Sequence, residues 1–186
     1  MAMPAESTSD LMTSEDLLRA GVPGKSTELV RGHLVVREPP GTRHGSVAGR
    51  LNYLLADHVY RHDLGVVCGQ DTGFEIESNP DTVRAPDAAV VSRPRVSQIP
   101  PRGYAPFAPD LAAEIVSPDD RPGEVLAKVG EWLQAGTRVV WVIDPSRNQA
   151  HVYRDDGDLT IVPLDGALDG APVLPGFTRP LAEILR

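Results

Sequence analysis

Residues 111–120 read LAAEIVSPDD. Five of the first six residues are apolar and fall on both faces of a period-two pattern, as in a strand covered on both sides. Glu114 interrupts that run. A lone carboxylate in low dielectric is costly, so it protonates, finds a partner or holds a cation.

The flanking sequence places this strand in a sheet. Downstream, apolar spacing predicts a helix from about 120 to 135 with Val125, Leu126, Val129, Trp132 and Leu133 on its buried face, and RVVWVID reads as a second buried strand. AHVYR, LTIVPL and APVLPGFTRPLAEIL supply further strands and a short last helix. Upstream lies a Pro- and Arg-rich loop over 93–109, preceded by strands near 65–70, 73–77 and 86–92. Val47, Leu51, Leu54, Leu55 and Val59 keep helical spacing across 43–62, with Thr42 as the expected cap. TELVRGHLVV reads as two short strands around Gly32, and SEDLLRAG as a helix capped by Ser14 and ended by Gly21. The predicted class is α/β (α+β), a mixed central sheet flanked by helices with additional hairpins. Residues 1–12 are expected to be a flexible tail and 13–186 a single domain.

At 186 residues and 41% hydrophobic content, the chain has enough material for one core. Its apolar runs fall short of the roughly 18 residues of a membrane span, and MAMPAESTSD has no signal-peptide pattern, so a cytoplasmic location is expected. The one cysteine, Cys68, excludes an internal disulfide and a multi-cysteine zinc site, and reads as a small core hydrophobe. The formal charge of −8 disfavours a partner held by phosphate contacts alone. Arg84, Arg93, Arg95 and Arg102 read as a solvated mixed surface.

Three motifs are weaker than they look. GVPGKST ends like a phosphate-binding loop, but Arg19 stands where that loop needs glycine and a helix precedes it where a strand is required. His58 and His62 are one helical turn apart, yet the HExxH glutamate is missing and both rings map to the apolar stripe, which points to packing or a local hydrogen bond. His44, in the first turn of the same helix, has two open readings: a ring under the sheet kept neutral by the positive helix end, or a role at a site.

The chemistry-bearing set is RAPDAAVV, LAAEIVS and the helix after them. Asp87 repeats the anomaly of Glu114, an acid at the head of an apolar run behind Pro86. If their strands are neighbours the two acids meet. One then stays protonated unless a cation neutralises both, and a hard ion such as Mg²⁺ does so with a few carboxylates and retained waters. Taken singly, Asp87 also fits a capped loop end and Glu114 an arginine-paired buried acid. Lys128 falls on the border of the helix's buried face, about 40° from Trp132. There it either reaches Glu114 or pairs at the surface with Glu124.

RAPDAAVV, PDLAAEIVSPDDR, KVGEWLQAGTRVVWVIDPSRNQAHVYR and LPGF together resemble the Uma-type restriction endonuclease family of the PD-(D/E)XK nuclease superfamily, over most of the chain from TELVRGHLVV to LPGF. The resemblance implies a restriction-endonuclease-like core, with Asp87 and Glu114 as the two acids that hold Mg²⁺ or Mn²⁺. The superfamily lysine two residues after the second acid is absent, since that position is Val116, and Lys128 on the following helix looks like its replacement. His44 and Glu28 match recurrent polar positions without an assigned role. Trp132 stands where tyrosine is common, a difference expected to concern packing. The implied activity is metal-assisted hydrolysis of DNA phosphodiesters, with Lys128 orienting or helping to deprotonate the attacking water. The alternative is an inactive nuclease-fold binding module. A homodimer is compatible with the implied duplex substrate, with segments such as YAPFAP as candidate contacts.

Overall fold

The computed structural model describes residues 11–186. In chain order it contains α1 (Ser14–Arg19), β1 (Ser26–Val30), β2 (His33–Arg37), α2 (Thr42–Arg61), β3 (Gly65–Gly69), β4 (Phe74–Glu77), β5 (Thr82–Arg84), β6 (Ala88–Ser92) and a 3-10 turn (Arg93–Gln98). It continues with β7 (Leu111–Ile115), α3 (Pro122–Gln134), β8 (Val139–Asp144), β9 (Gln149–Arg154), β10 (Leu159–Pro163), β11 (Ala167–Asp169), β12 (Thr178–Pro180) and α4 (Leu181–Ile184).

The strand of Glu114 is β7, and it is interior. The main sheet runs β10-β9-β8-β7-β6-β3, with β7 and β8 parallel and every other neighbouring pair antiparallel. A parallel pair needs a crossover, and α3 supplies it. Alternate residues of β7 therefore face different helices. Leu111, Ala113 and Ile115 join Val47, Leu51 and Leu55 of α2 in one buried cluster. Ala112 joins Val129 and Trp132 of α3 in the other, with Val140 and Val142 of β8. Both faces of β7 are covered, which explains why its residues other than Glu114 are apolar. Glu114 is the polar exception on the α3 face.

The second sheet, β2-β1-β5-β4, begins with a hairpin whose two loop residues, Arg31 and Gly32, have φ of 49° and 76°. Positive φ at both central positions is what a tight hairpin turn of this hand requires. This sheet positions Glu28 on β1 and Arg84 on β5. Gly65, at the start of β3, admits no side chain, because a Cβ there would lie 2.0 Å from the Val91 carbonyl oxygen.

Several local expectations shift. The N-cap of α1 is Thr13 rather than Ser14, through a reciprocal capping box with Asp16. Thr42 lies inside α2, whose N-cap is Gly41 without a side-chain bond. The strand expected at 86–92 starts at Ala88, and residues 82–84 form β5 in the other sheet. Pro86, which has no N–H and disfavours helix before it, sits at the crossing from one sheet to the other. The expected tail at 1–12 lies outside the described residues except for its end, where Met12 donates to the Gly32 carbonyl at 2.9 Å and packs on Leu29 and Val83. YAPFAP is not a free contact surface either. Ala105 and Ala108 are buried, Tyr104 packs on the Leu29 cluster, and Phe107 lies under the Arg95 guanidinium at 4.4 Å.

His58 is a core residue, its Nε2 3.0 Å from the Pro175 carbonyl oxygen and its ring edge-on to Phe177. His62, by contrast, is exposed rather than on the apolar stripe, and bonds back to the His58 carbonyl at 2.8 Å. Lys25 of the GKST segment pairs with Glu38. Cys68 packs half-buried on the α3-side cluster, where burial raises its thiol pKa. Among the described residues no helix is long and apolar enough to cross a membrane.

Candidate active site

Antiparallel pairing of β6 with β7 brings Asp87 and Glu114 to one end of the sheet. The Asp87 N–H bonds the Ala113 carbonyl at 3.0 Å, just ahead of the Ala88↔Ala113 register. Asn52 of α2 fixes the Asp87 carbonyl at 3.0 Å. The carboxylate itself is held twice, Oδ1 by Gln70 Nε2 at 3.0 Å and Oδ2 by the Ile115 N–H at 2.7 Å. His44 Nε2 stands 3.2 Å from Oδ2. Burial pushes Asp87 toward the neutral acid, but the bonds from His44, Gln70 and Ile115 outweigh it and hold the carboxyl below its ordinary value.

His44 faces the Asp87 carboxylate. Burial opposes its charged form, yet the bond and charge of Asp87, the charge of Asp120 and the Ile115 backbone outweigh burial and raise its pKa. The Asp87 carboxylate therefore favours the charged ring, in the sense opposite to a helix end that keeps it neutral.

Glu114 Oε2 accepts from Lys128 Nζ at 2.9 Å, and Oε1 accepts from the Trp132 indole N–H at 2.8 Å. Neither the arginine partner for Glu114 nor the Lys128–Glu124 surface pair forms; Glu124 stands near Arg121 instead, at 3.7 Å. Trp132 is thus more than packing. It lies one turn beyond Lys128 on the same face, a spacing visible in the sequence whose polar consequence was not. Burial, followed among the raising influences by the charges of Asp87 and Glu28, pushes Glu114 up to about 7 despite Lys128.

Lys128 is shared. Its ammonium also lies 3.0 Å from Glu28 Oε1 and 3.0 Å from the Ala85 carbonyl oxygen, so its three N–H donors all have partners. Burial alone would lower its pKa; the two carboxylates raise it instead.

Glu28 is 4% exposed and is the junction between the two sheets. It accepts from the Ala85 N–H at 2.9 Å and from Arg84 Nη1 at 3.0 Å, while Arg84 Nε bonds Glu131 at 2.6 Å. Burial favours its neutral form, but Lys128 and Arg84 bring it down to about 2. Arg84 is therefore a buried clamp and not part of a solvated surface. Arg93 and Arg95 are also paired locally, with Asp63 and Asp110.

Asp87, Glu114, Lys128, His44 and Glu28 all line one cleft of about 600 Å³. Gln70 and Arg37 line it too. Nothing in their local sequence sets them apart, because both reach the site through long-range pairing. Among the described residues no three His, Cys, Asp or Glu side chains converge as metal ligands. The carboxylate oxygens of Asp87 and Glu114 suit a hard cation such as Mg²⁺, which completes its shell with waters. Burial and, after it, the charge of Asp87 raise Glu114, and such a cation would offset both.

A solved structure described as a putative nuclease from Anabaena variabilis is similar, with a TM-score of 0.80 at 18% sequence identity over 94% of this chain and 97% of that one. The fold is restriction-endonuclease-like. The model of the Uma2 family, described as "Putative restriction endonuclease", matches residues 14–182, and the chain belongs to that family. No curated protein matches it.

Proposed function

We propose that the protein is a Mg²⁺- or Mn²⁺-dependent endonuclease that hydrolyses DNA phosphodiester bonds at a PD-(D/E)XK-type site made of Asp87, Glu114 and Lys128. The observation that carries the reading is the arrival of Lys128, from a helix, at 2.9 Å from Glu114 on the strand beside Asp87. Two acids and a lysine thereby meet in one cleft although the lysine is missing from its usual place after the second acid.

Asp87 and Glu114 would hold the ion. When bound, the ion lowers the pKa of a coordinated water and offsets charge on the phosphate. Gln70 and the Ile115 N–H keep the Asp87 carboxylate aimed. Lys128 acts as a fixed positive charge and not as a base, because its carboxylate partners hold its proton. Its role is to stabilise negative charge developing on the phosphate under attack. Glu28 positions Lys128, and His44 orients Asp87.

One observation favours the second reading, an inactive binding module: all three N–H donors of Lys128 are taken within the chain. Calorimetric titration with Mn²⁺, followed by incubation with supercoiled plasmid and with single-stranded DNA, separates the two. The nuclease reading predicts Mn²⁺ binding and metal-dependent nicking. Binding of DNA with no cleavage in either metal supports the module.

A further inference from the structure

Three cations surround Glu28, and they are held in different ways. Arg84 is clamped between Glu28 and Glu131 at 3.0 and 2.6 Å, and Lys128 has three partners within 3.0 Å. Arg37, on β2, has no such hold. Its Nε is 3.7 Å from Glu28 Oε2 and its Nη1 3.8 Å from Asp120 Oδ1, both beyond hydrogen-bond length. The side chain is 41% exposed, yet Nε itself is buried with no hydrogen-bond partner among the described residues. A buried N–H left without a partner is costly, which makes this a donor that gains from an incoming acceptor.

The surroundings make the position more telling. Eight Asp and Glu residues line the cleft, against two permanent cations, Arg37 and Lys128. With Lys128 committed to its partners, Arg37 is the permanent cation on that wall that makes no hydrogen bond among the described residues, and its side chain is 41% exposed. The planar guanidinium fork matches a phosphate through two parallel N–H bonds.

We propose that Arg37 is the substrate anchor of the cleft, a positioning residue that holds a backbone phosphate of the nucleic acid while the neighbouring carboxylates do their chemistry. The inference rests on the nuclease reading above.

The test measures binding of a fluorescein-labelled 20-nucleotide duplex by anisotropy, in Ca²⁺, across 20–200 mM KCl. Wild type, Arg37→Gln and Arg37→Lys are compared, with Mn²⁺ affinity and thermal melts alongside. Arg37→Gln should bind at least about tenfold more weakly at low salt, with the slope of log affinity against log salt reduced by about one. Arg37→Lys keeps the charge but not the fork, so it should retain the slope and regain part of the affinity. Mn²⁺ affinity should be no weaker in either variant, a result that a merely structural role for Arg37 would not give. A wild-type slope and affinity in Arg37→Gln overturns the anchor and leaves the nuclease reading standing. Wild type that neither binds the duplex in Ca²⁺ nor, when the same duplex is incubated in Mn²⁺, cuts it overturns both.

Discussion

Lys128 Nζ and Glu114 Oε2 are 2.9 Å apart, an ion pair between a helix and the strand that precedes it in the chain. Lys128 is the cation shared by Glu114 and Glu28, so its removal strands two buried carboxylates, and a buried charge left without its partner typically costs about 3–5 kcal/mol. Lys128→Met should therefore lower metal-free stability by that order and abolish cleavage. It should not abolish ion binding, because the ammonium that competes for Glu114 is gone. Thermal melts with chelator and with Mn²⁺ check this: the metal-induced rise in Tm should be larger in the variant than in wild type. An equal loss of Mn²⁺ response would place Lys128 among the groups that build the ion site.

Glu114 and Glu28 predict opposite limbs of a stability–pH profile. Glu114, raised to about 7, is neutral more readily in the folded state, so its ionisation costs stability above that pH and the cost fades toward 4.5. The raised His44 acts in the same sense, stabilising at low pH and losing that contribution as pH rises through its folded value. Glu28, lowered to about 2, stabilises above 4.5 and loses that contribution as pH falls toward 2. Metal-free wild type should gain stability from pH 8 to about 5.5 and lose it below about 4.5. Glu114→Gln should exceed wild type by roughly 1–2 kcal/mol at pH 8 and match it near pH 5. Denaturant melts at the two pH values decide; a variant weaker than wild type at pH 8 means the Lys128 pair outweighs desolvation.

Glu28→Ala removes the acceptor shared by Arg84, Lys128 and the Ala85 N–H. The lowered pKa alone corresponds to roughly 3 kcal/mol at neutral pH. A urea melt should show a loss of about that size. A change under 1 kcal/mol would mean that Glu131 and solvent take over its partners.

His44→Ala leaves Asp87 with Gln70 and the Ile115 N–H, so the fold should change by less than about 1 kcal/mol. Cleavage should fall by about 10–100-fold, the usual cost of losing a group that orients a metal ligand. An unchanged rate returns His44 to a structural role.

The main sheet and its two large helices were legible because strands buried on both faces leave near-continuous apolar runs, as in residues 111–116 and 139–144, and one-sided helices leave a 3.6-residue period, as in 43–62. β5 was not, since three residues carry too little periodicity. The acids were legible as anomalies, polar groups where the pattern demands apolar ones. Their partners were not. Arg84 reads as surface in isolation and is buried only because Glu28, 56 residues earlier, meets it on the neighbouring strand. Gln70, Arg37 and the indole N–H of Trp132 likewise acquire their meaning from pairing across the chain.

The central claim is that Asp87, Glu114 and Lys128 form one metal-dependent hydrolytic site. Its most direct test is nicking of supercoiled plasmid by wild type and Asp87→Ala, run side by side in 5–10 mM Mg²⁺ (roughly saturating for a site of two carboxylates) and in chelator. Wild type should convert plasmid to nicked and linear forms only with the metal, and the variant, though folded by circular dichroism, should convert none. Cleavage that persists in Asp87→Ala, or that proceeds equally in chelator, would contradict the account.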